Sequence, residues 1–127
     1  MISSKRQFNI ACLQTLPRAD FKTALDEAIT LAEEAVKAGA DFLTLPEYCG
    51  GLKTEGSAFA PPFATEENHP VLKGLRNFAK NRKKYLLIGS IAISGTADKI
   101  LNRSFIIDDC GSTVVDMISY IPMFFAS

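Results

Sequence analysis

Short apolar runs alternate in this sequence with longer stretches in which apolar residues recur at helical spacing. This alternation is the feature that most constrains the fold. A short apolar segment at residues 8–14 precedes a stretch in which apolar residues recur every three or four positions, and residues 41–45 are again a short apolar run. Short apolar runs are typical of buried strands, whereas the longer period is typical of an amphipathic helix. The sequence therefore favours an α/β sheet.

The first predicted helix has recognisable ends. Asp20 can cap it, since its carboxylate accepts a hydrogen bond from a first-turn amide. Apolar positions then recur as far as Val36, and Gly39 tolerates the left-handed conformation in which helices often end. The pattern predicts a helix that begins after Asp20 and stops at Gly39, with one buried face.

A second helix is predicted after a long loop. Pro46 ends the strand at 41–45, because proline has no amide hydrogen for a β-ladder. Residues 48–68 show no period and are punctuated by glycine and proline, which predicts a loop. His69 and Pro70 then open a helix. Its predicted buried face consists of Val71, Leu72, Leu75, Phe78 and Ala79.

The remaining residues predict three strands. They cover residues 85–93, residues 100–108 and the segment from Thr113 onward, with a hairpin turn at 109–112. The predicted order is strand, helix, strand, loop, helix and three strands. This order indicates an α/β fold with a mixed sheet whose helices pack on one face.

Composition narrows the class of protein. The chain has 127 residues, with 14 basic and 14 acidic side chains. The length suits one domain, and the zero net charge gives no support for a nucleic-acid binder. Its apolar runs are too short for a membrane helix, and we expect no signal peptide at its start. Its three cysteines are widely spaced, which predicts reduced thiols. We expect a cytoplasmic protein that binds neither nucleic acid nor membranes.

Glu47 is the main candidate for chemistry. It follows Pro46 just past the carboxyl end of a predicted buried strand, where open α/β sheets place their active sites. Partial desolvation there would raise the pKa of the carboxyl group toward the range of a general base. The alternative is a solvated glutamate in a loop.

Four segments in combination resemble the carbon–nitrogen hydrolase (nitrilase-like) superfamily, and most closely its amidase branch. They are Phe-Asn-Ile-Ala-Cys-Leu-Gln at 8–14, Ala-Gly-Ala-Asp-Phe-Leu-Thr-Leu-Pro-Glu-Tyr at 38–48, Leu-Ile-Gly-Ser at 87–90 and Leu-Asn-Arg-Ser-Phe at 101–105. The similarity covers residues 7–112. It implies the amino-terminal part of an α-β-β-α sandwich, which is built from two sheets in intact relatives.

The resemblance also implies a Glu-Lys-Cys triad that hydrolyses non-peptide C–N bonds. The glutamate deprotonates the cysteine thiol and the lysine stabilises the tetrahedral intermediate. Glu47 matches the family glutamate, and Arg103 matches a strand residue with a structural role near the site. No lysine follows Lys99. The resemblance thus implies a small-molecule amide substrate, no cofactor or metal, and a truncated domain that is inactive alone.

None of the three cysteines matches the family nucleophile. We expect Cys12, inside a strand, to be a small core side chain, and Cys110 to be an incidental thiol in a turn. Cys49 lies close to Glu47 in the sequence. This proximity leaves open a minimal thiol site, in which Cys49 would react rapidly near neutral pH.

Residues 113–127 diverge from the family. Codons for the segment that starts at Val115 permit Arg-Tyr-Asp-Lys-Leu-His, the missing lysine motif, in a neighbouring frame. We hypothesise a frameshift near Val114, which the nucleotide sequence tests.

An alternative function is a non-catalytic remnant that forms homo-oligomers through an uncovered sheet face.

Two further features have ordinary explanations. His69 is the only histidine, and its place before Pro70 favours a capping or solvated role over catalysis. The basic run at residues 80–84 lies at a predicted helix end, which favours a solvated face over a site for an anionic partner.

Overall fold

The computed structural model describes residues 7–97 and 99–119, without the side chain of Ser119. In chain order the elements are β1 (Ile10–Cys12), α1 (Phe21–Lys37), β2 (Phe42–Leu45), β3 (Thr54–Glu55), β4 (Ala58–Phe59), α2 (Pro70–Arg82), β5 (Tyr85–Ser94), β6 (Ile100–Ile107) and β7 (Thr113–Ser119). Residues 120–127, the end of the divergent tail predicted at 113–127, lie outside the described part.

The larger sheet has the order β1-β2-β5-β6-β7. Strands β1, β2 and β5 are parallel, whereas β6 and β7 are antiparallel to their neighbours. Parallel neighbours require a long crossover, which α1 supplies between β1 and β2 and which α2 supplies before β5. The predicted mixed α/β sheet is confirmed.

The loop predicted at 48–68 contains a small hairpin that the sequence did not reveal. In it, β3 and β4 pair antiparallel, with Thr54 opposite Phe59 and Glu55 opposite Ala58. Gly56, with a φ of 63°, forms the turn between them. Strands of this length carry no period, so the hydrophobic pattern could not predict them.

The helix ends follow the predicted capping chemistry. Oδ1 of Asp20 accepts a 2.7 Å hydrogen bond from the amide of Thr23, and α1 ends just before Gly39, which has a φ of 96°. His69 caps α2, and Pro70 is its first residue. Local sequence therefore sets both helix starts.

Both helices cover the same face of the sheet. The five apolar residues predicted for α2 are all buried, and Ala28 and Ala32 are the buried residues of α1 in the same cluster. The sheet contributes Leu43, Leu45, Leu86, Ile88, Phe105 and Ile107. Each fully buried leucine or isoleucine stabilises the fold by about 1.5–3 kcal/mol.

The opposite face of the sheet carries no helix among the described residues. We call it the open face, and it includes Ile10, Cys12, Phe42, Thr44, Tyr85, Leu87, Ser104, Ile106, Val115 and Met117. Ala92 and Asn102 lie on the same side, and both are buried. Along each strand, successive side chains point to opposite faces. The residues of the open face therefore alternate with the strand residues that pack against the helices. Several of its side chains are exposed, including Ile10, Tyr85, Val115 and Met117.

The expectation that Cys12 is a core residue is wrong. Strand side chains alternate between faces, and Ala11 and Leu13 are the neighbours of Cys12 that pack toward the helices. Cys12 therefore lies on the open face and is exposed.

Candidate active site

Glu47 lies where the sequence placed it, just past the carboxyl end of β2. It begins the turn 47–50 that follows Leu45 and Pro46, and its side chain is exposed. Burial raises the pKa of the neighbouring Tyr48 above its usual value, and the negative charge of Glu47 adds a smaller upward contribution. The carboxylate of Glu47 is therefore exposed to solvent and also raises the pKa of the half-buried Tyr48 phenol beside it.

Ser90, in the centre strand β5, fixes this turn to the sheet. Its Oγ accepts a 2.9 Å hydrogen bond from the amide of Tyr48. Its carbonyl oxygen accepts a 3.1 Å hydrogen bond from the amide of Cys49, and its own amide donates to the Pro46 carbonyl at 3.4 Å. Together these backbone and side-chain hydrogen bonds hold the chain on both sides of Glu47.

Gly89 lets the turn approach β5 closely. A Cβ atom at this position would lie 2.4 Å from the carbonyl oxygen of Leu45 and 2.5 Å from the carbonyl carbon of Pro46. Such contacts involve backbone on both sides, so no side-chain rotation relieves them. The register between β5 and β6 shifts between Ile88 and Ile91, at this same point. Gly89 and Ser90 form a β-bulge that aims the turn, as bulges near active sites often do.

Sequence reasoning recognised Gly89 and Ser90 in a motif but assigned them no role. A glycine inside an otherwise apolar strand is a signal for close backbone approach. The sequence does not indicate that Pro46 is the residue that approaches Gly89, because the two are distant in the chain and meet only in the folded sheet.

Cys49 is not a reactive thiol. Its side chain is 3% exposed, and its Sγ donates to the carbonyl oxygen of Ser90 at 3.6 Å. Burial raises the pKa of the thiol to about 12. The hypothesis of a minimal Cys49–Glu47 site is therefore wrong, since the thiol is both inaccessible and protonated at neutral pH. Cys110 lies in the turn after β6, as predicted, and it is exposed.

Arg103 connects three segments of the chain. Its Nη1 lies 3.3 Å from Oε1 of Glu66, which precedes α2, and its Nη2 lies 2.8 Å from Oδ2 of Asp116 in β7. The guanidinium group also stands 5.7 Å from the centroid of the Phe105 ring. Arg103 therefore links β7 to the segment that leads into α2.

His69 is a buried cap and not a solvated residue. Its side chain is 0% exposed, its Nδ1 accepts from the amide of Leu72 at 3.4 Å, and its ring contacts Phe21 edge-on at 4.7 Å. Burial lowers the pKa of His69 to about 4. The capping expectation is confirmed, and the solvated alternative is wrong because Phe21 of α1 covers the ring.

Two charged clusters have structural explanations. Asp108, Asp109 and Cys110 could offer ligand atoms within 4.8 Å of one another. However, Oδ1 of Asp108 accepts hydrogen bonds from the amides of Cys110 and Ser112, which form the turn. In the basic run at 80–84, Lys83 ends α2 in a left-handed conformation, and Arg82 pairs with Glu33 at 2.8 Å.

A cavity of about 560 Å³ lies beside the hairpin of β3 and β4. Its walls are Phe21, Lys53, Glu55, Ala60, Pro61, Pro62, Phe63 and Ile100. The volume falls within the roughly 300–1,000 Å³ of small-molecule pockets. Glu47 is not among these residues, so the cavity and the candidate base are separate features of this chain.

Residues 9–119 match the carbon-nitrogen hydrolase family model. The chain belongs to the carbon-nitrogen hydrolase family. Nitrilase homolog 2 of Dictyostelium discoideum is 33% identical over 115 residues, which are 90% of this chain and 34% of that relative. The chain thus spans about a third of the length of this curated relative.

Solved amidases share the fold. A double mutant of the amidase from Nesterenkonia sp. AN1 in complex with acrylamide superposes with a TM-score of 0.74 at 19% identity, covering 97% of this chain and 48% of that chain. An N-terminal amidase gives 0.68 at 12% identity, covering 86% and 27%. The chain spans about half of the first and a quarter of the second. These likenesses identify the nitrilase fold.

No helix among residues 7–97 and 99–119 combines the length and apolar character needed to cross a membrane.

Proposed function

We propose that this chain carries the general base, Glu47, of an amidase that hydrolyses non-peptide C–N bonds. The observation that supports this proposal is the attachment of the turn 47–50 to Ser90, which presents an exposed carboxylate at the carboxyl end of β2 in a family of hydrolases. A solvated loop glutamate would need no such anchoring.

The proposed reaction assigns one proton transfer to this chain. Glu47 takes the proton of a cysteine thiol, the thiolate forms a C–S bond with the amide carbon, and the amine leaves with the proton. Water then hydrolyses the thioester to a carboxylic acid. In a glutamate-to-glutamine mutant of the Nesterenkonia amidase, acrylamide is added to the active-site cysteine.

We further propose that residues 1–127 alone lack amidase activity. The buried, protonated Cys49 is a poor nucleophile, and no lysine follows Lys99 to stabilise the tetrahedral intermediate. Loss of one member of a catalytic set forfeits most of the rate. The purified chain should therefore release no ammonia above background from ω-amides of dicarboxylic acids. Turnover that iodoacetamide abolishes would contradict this.

The role of Glu47 can be tested in a chimera. Residues 7–119 would replace the matching segment of nitrilase homolog 2, whose remaining length supplies the rest of the fold. Glu47→Gln should lower kcat by about 10²–10⁴-fold, the usual contribution of a general base. Glu34→Gln is the matched control, because Glu34 is an exposed glutamate of α1. Equal kcat in the two variants would exclude Glu47 as the base.

A second candidate function is that of a non-catalytic, self-associating fragment. The exposed apolar side chains of the open face favour it, because contiguous apolar patches mark interaction surfaces. Light scattering on the purified chain tests it. A species of defined mass supports an interaction role, whereas heterogeneous aggregates contradict it.

A cytoplasmic location is also part of the proposal. The cysteines Cys12, Cys49 and Cys110 are all free, which suits a reducing compartment. Fractionation of cells that express the tagged chain tests it, and recovery with secreted proteins would contradict it.

A further inference from the structure

The cavity of about 560 Å³ beside the hairpin of β3 and β4 has walls from four separate parts of the fold. They are Phe21 at the start of α1, the hairpin itself, residues 60–63, and Ile100 at the start of β6. The ring of Phe21 also contacts His69 edge-on, with 4.7 Å between centroids. The cavity is therefore a product of the tertiary structure and not a groove along one element.

Main-chain hydrogen bonds fix two of these walls in place. The amide of Ala60 donates to the carbonyl oxygen of Lys53 at 2.8 Å, which continues the hairpin beyond β3 and β4. The amide of Ser94 donates to the carbonyl oxygen of Ala64 at 2.8 Å, which attaches the chain after residues 60–63 to β5. The cavity is thus formed before any ligand arrives, as most small-molecule sites are.

Most of the lining is apolar, and part of it is aromatic. Phe63 is 51% exposed, so a large apolar ring is left partly in water at this cavity. An apolar group that enters the cavity removes this surface from water, which favours binding. Aromatic rings pair favourably with one another, so Phe21 and Phe63 favour an aromatic group in the ligand. The apolar lining residues are Phe21, Ala60, Pro61, Pro62, Phe63 and Ile100.

The two charged residues of the lining have opposite signs. Lys53 and Glu55 are two positions apart along an extended segment, which puts both side chains on one side of it. Nζ of Lys53 lies 3.8 Å from Oε1 of Glu55, and both side chains are largely exposed. Such an exposed pair contributes little to stability. A ligand that offers each side chain an opposite charge can therefore replace this pair at small cost.

We propose that this cavity binds a free α-amino acid with an apolar side chain, preferably an aromatic one. The carboxylate and the ammonium group of an α-amino acid are attached to the same carbon atom, so they are close enough together to contact Lys53 and Glu55 respectively. The side chain of the ligand then lies against Phe21 and Phe63. Binding forms and breaks no covalent bond. Glu47 does not line the cavity, so this inference is independent of the proposed hydrolysis.

Analogues of the ligand test the need for both charges. Isothermal titration calorimetry of the purified chain with L-phenylalanine should give a dissociation constant at or below about 1 mM. N-acetyl-L-phenylalanine keeps only the carboxylate, and L-phenylalaninamide keeps only the ammonium group. We expect each to bind at least about tenfold more weakly. Equal affinity for L-phenylalanine and either analogue would overturn the proposal, as would no binding of L-phenylalanine at about 10 mM.

Charge-removing variants place the ligand in this cavity. Lys53→Met and Glu55→Gln should each weaken the binding of L-phenylalanine at least about tenfold. Lys37→Met and Glu34→Gln are the matched controls, because both residues are exposed near the opposite end of α1 from Phe21. They should change the dissociation constant by less than about twofold. Equal effects in the two pairs of variants would show that the amino acid does not bind between Lys53 and Glu55.

A cavity-filling variant tests the apolar part of the site. Ala60→Phe adds a ring to the lining and leaves the main-chain hydrogen bond to Lys53 in place, so it should abolish the binding of L-phenylalanine. Circular dichroism should show the wild-type spectrum and Tm for this variant and for Lys53→Met. If Ala60→Phe fails to fold, the exposed substitution Lys53→Met still decides the question. Wild-type affinity in a folded Ala60→Phe variant would overturn the proposal.

Discussion

The amide of Tyr48 donates a 2.9 Å hydrogen bond to Oγ of Ser90, 42 residues further along the chain. Tyr48 has a φ of 54°, a left-handed conformation that costs a non-glycine residue about 1–2 kcal/mol. The hydrogen bonds to Ser90 offset this strain. Glu47 precedes Tyr48 directly, so the position of the candidate base depends on a serine in the centre strand.

Replacement of Ser90 by alanine should destabilise the fold and loosen the turn. The substitution removes the acceptor of the Tyr48 amide and leaves the two main-chain bonds of Ser90 in place. We expect the free energy of unfolding to fall by about 1–2 kcal/mol, as is usual for a lost buried hydrogen bond. Urea denaturation measures the change.

Ser57→Ala is the control for this prediction, because Ser57 is an exposed serine of the turn between β3 and β4. It should change stability by less than about 0.5 kcal/mol. Equal effects at the two serines would show that the Ser90 side chain does not hold the turn.

Gly89→Ala should be more damaging than Ser90→Ala. The added Cβ would stand 2.4 Å from the carbonyl oxygen of Leu45, and relief requires separation of β2 from β5. We expect a loss of about 3 kcal/mol or more in a urea titration, in line with other severe packing strain.

Gly56→Ala provides the comparison for Gly89. Gly56 has a φ of 63°, and no heavy atom outside its immediate chain neighbours lies within 4 Å of the point that a Cβ would occupy. Alanine therefore meets backbone strain there without a clash, and we expect a loss of about 1 kcal/mol. A smaller loss at Gly89 than at Gly56 would contradict the close approach of Pro46.

The stability of the fold should depend on the protonation of His69. Burial lowers the pKa of this residue from 6.5 to about 4, so between these pH values the unfolded chain binds a proton that the folded chain does not. The free energy of unfolding therefore falls as pH decreases through this window. We expect a loss of about 2 kcal/mol between pH 7.5 and 5. Urea titrations at the two pH values measure it.

His69→Asn separates this effect from other groups, since asparagine can still cap α2 and does not titrate. His69 is the only histidine, and carboxyl groups titrate mostly below pH 5. The variant should be nearly independent of pH over the same range. If it keeps the wild-type slope, the slope does not come from His69.

The three thiols should differ in their reaction with iodoacetamide. Cys12 and Cys110 are exposed, whereas burial raises the pKa of Cys49 to about 12. Mass spectrometry of the native chain should show rapid modification at Cys12 and Cys110 and slow modification at Cys49. In urea, all three should react alike. Rapid native labelling of Cys49 would contradict its burial beneath the turn.

Local patterns determined the elements and their ends. Asp20 and His69 cap the two helices because side-chain capping depends only on a few adjacent residues. The buried face of α2 followed from its period for the same reason. The mixed sheet and the common face of the helices followed from the element order, since short connections leave few alternatives. The place of Glu47, past the end of β2, was also readable from Pro46.

Contacts between distant residues decided the rest. That Cys49 is buried while Cys12 is exposed depends on which side of each strand the helices cover, and a cysteine carries no such information in its own neighbourhood. The anchoring of Glu47 through Gly89 and Ser90 required β2 and β5 to become neighbours in space. The sequence determined the two helices and the strands of the larger sheet, but not the hairpin of β3 and β4, because the former depend on local hydrogen bonding and apolar period. The tertiary structure alone decided accessibility and pKa, because both depend on every group that packs nearby.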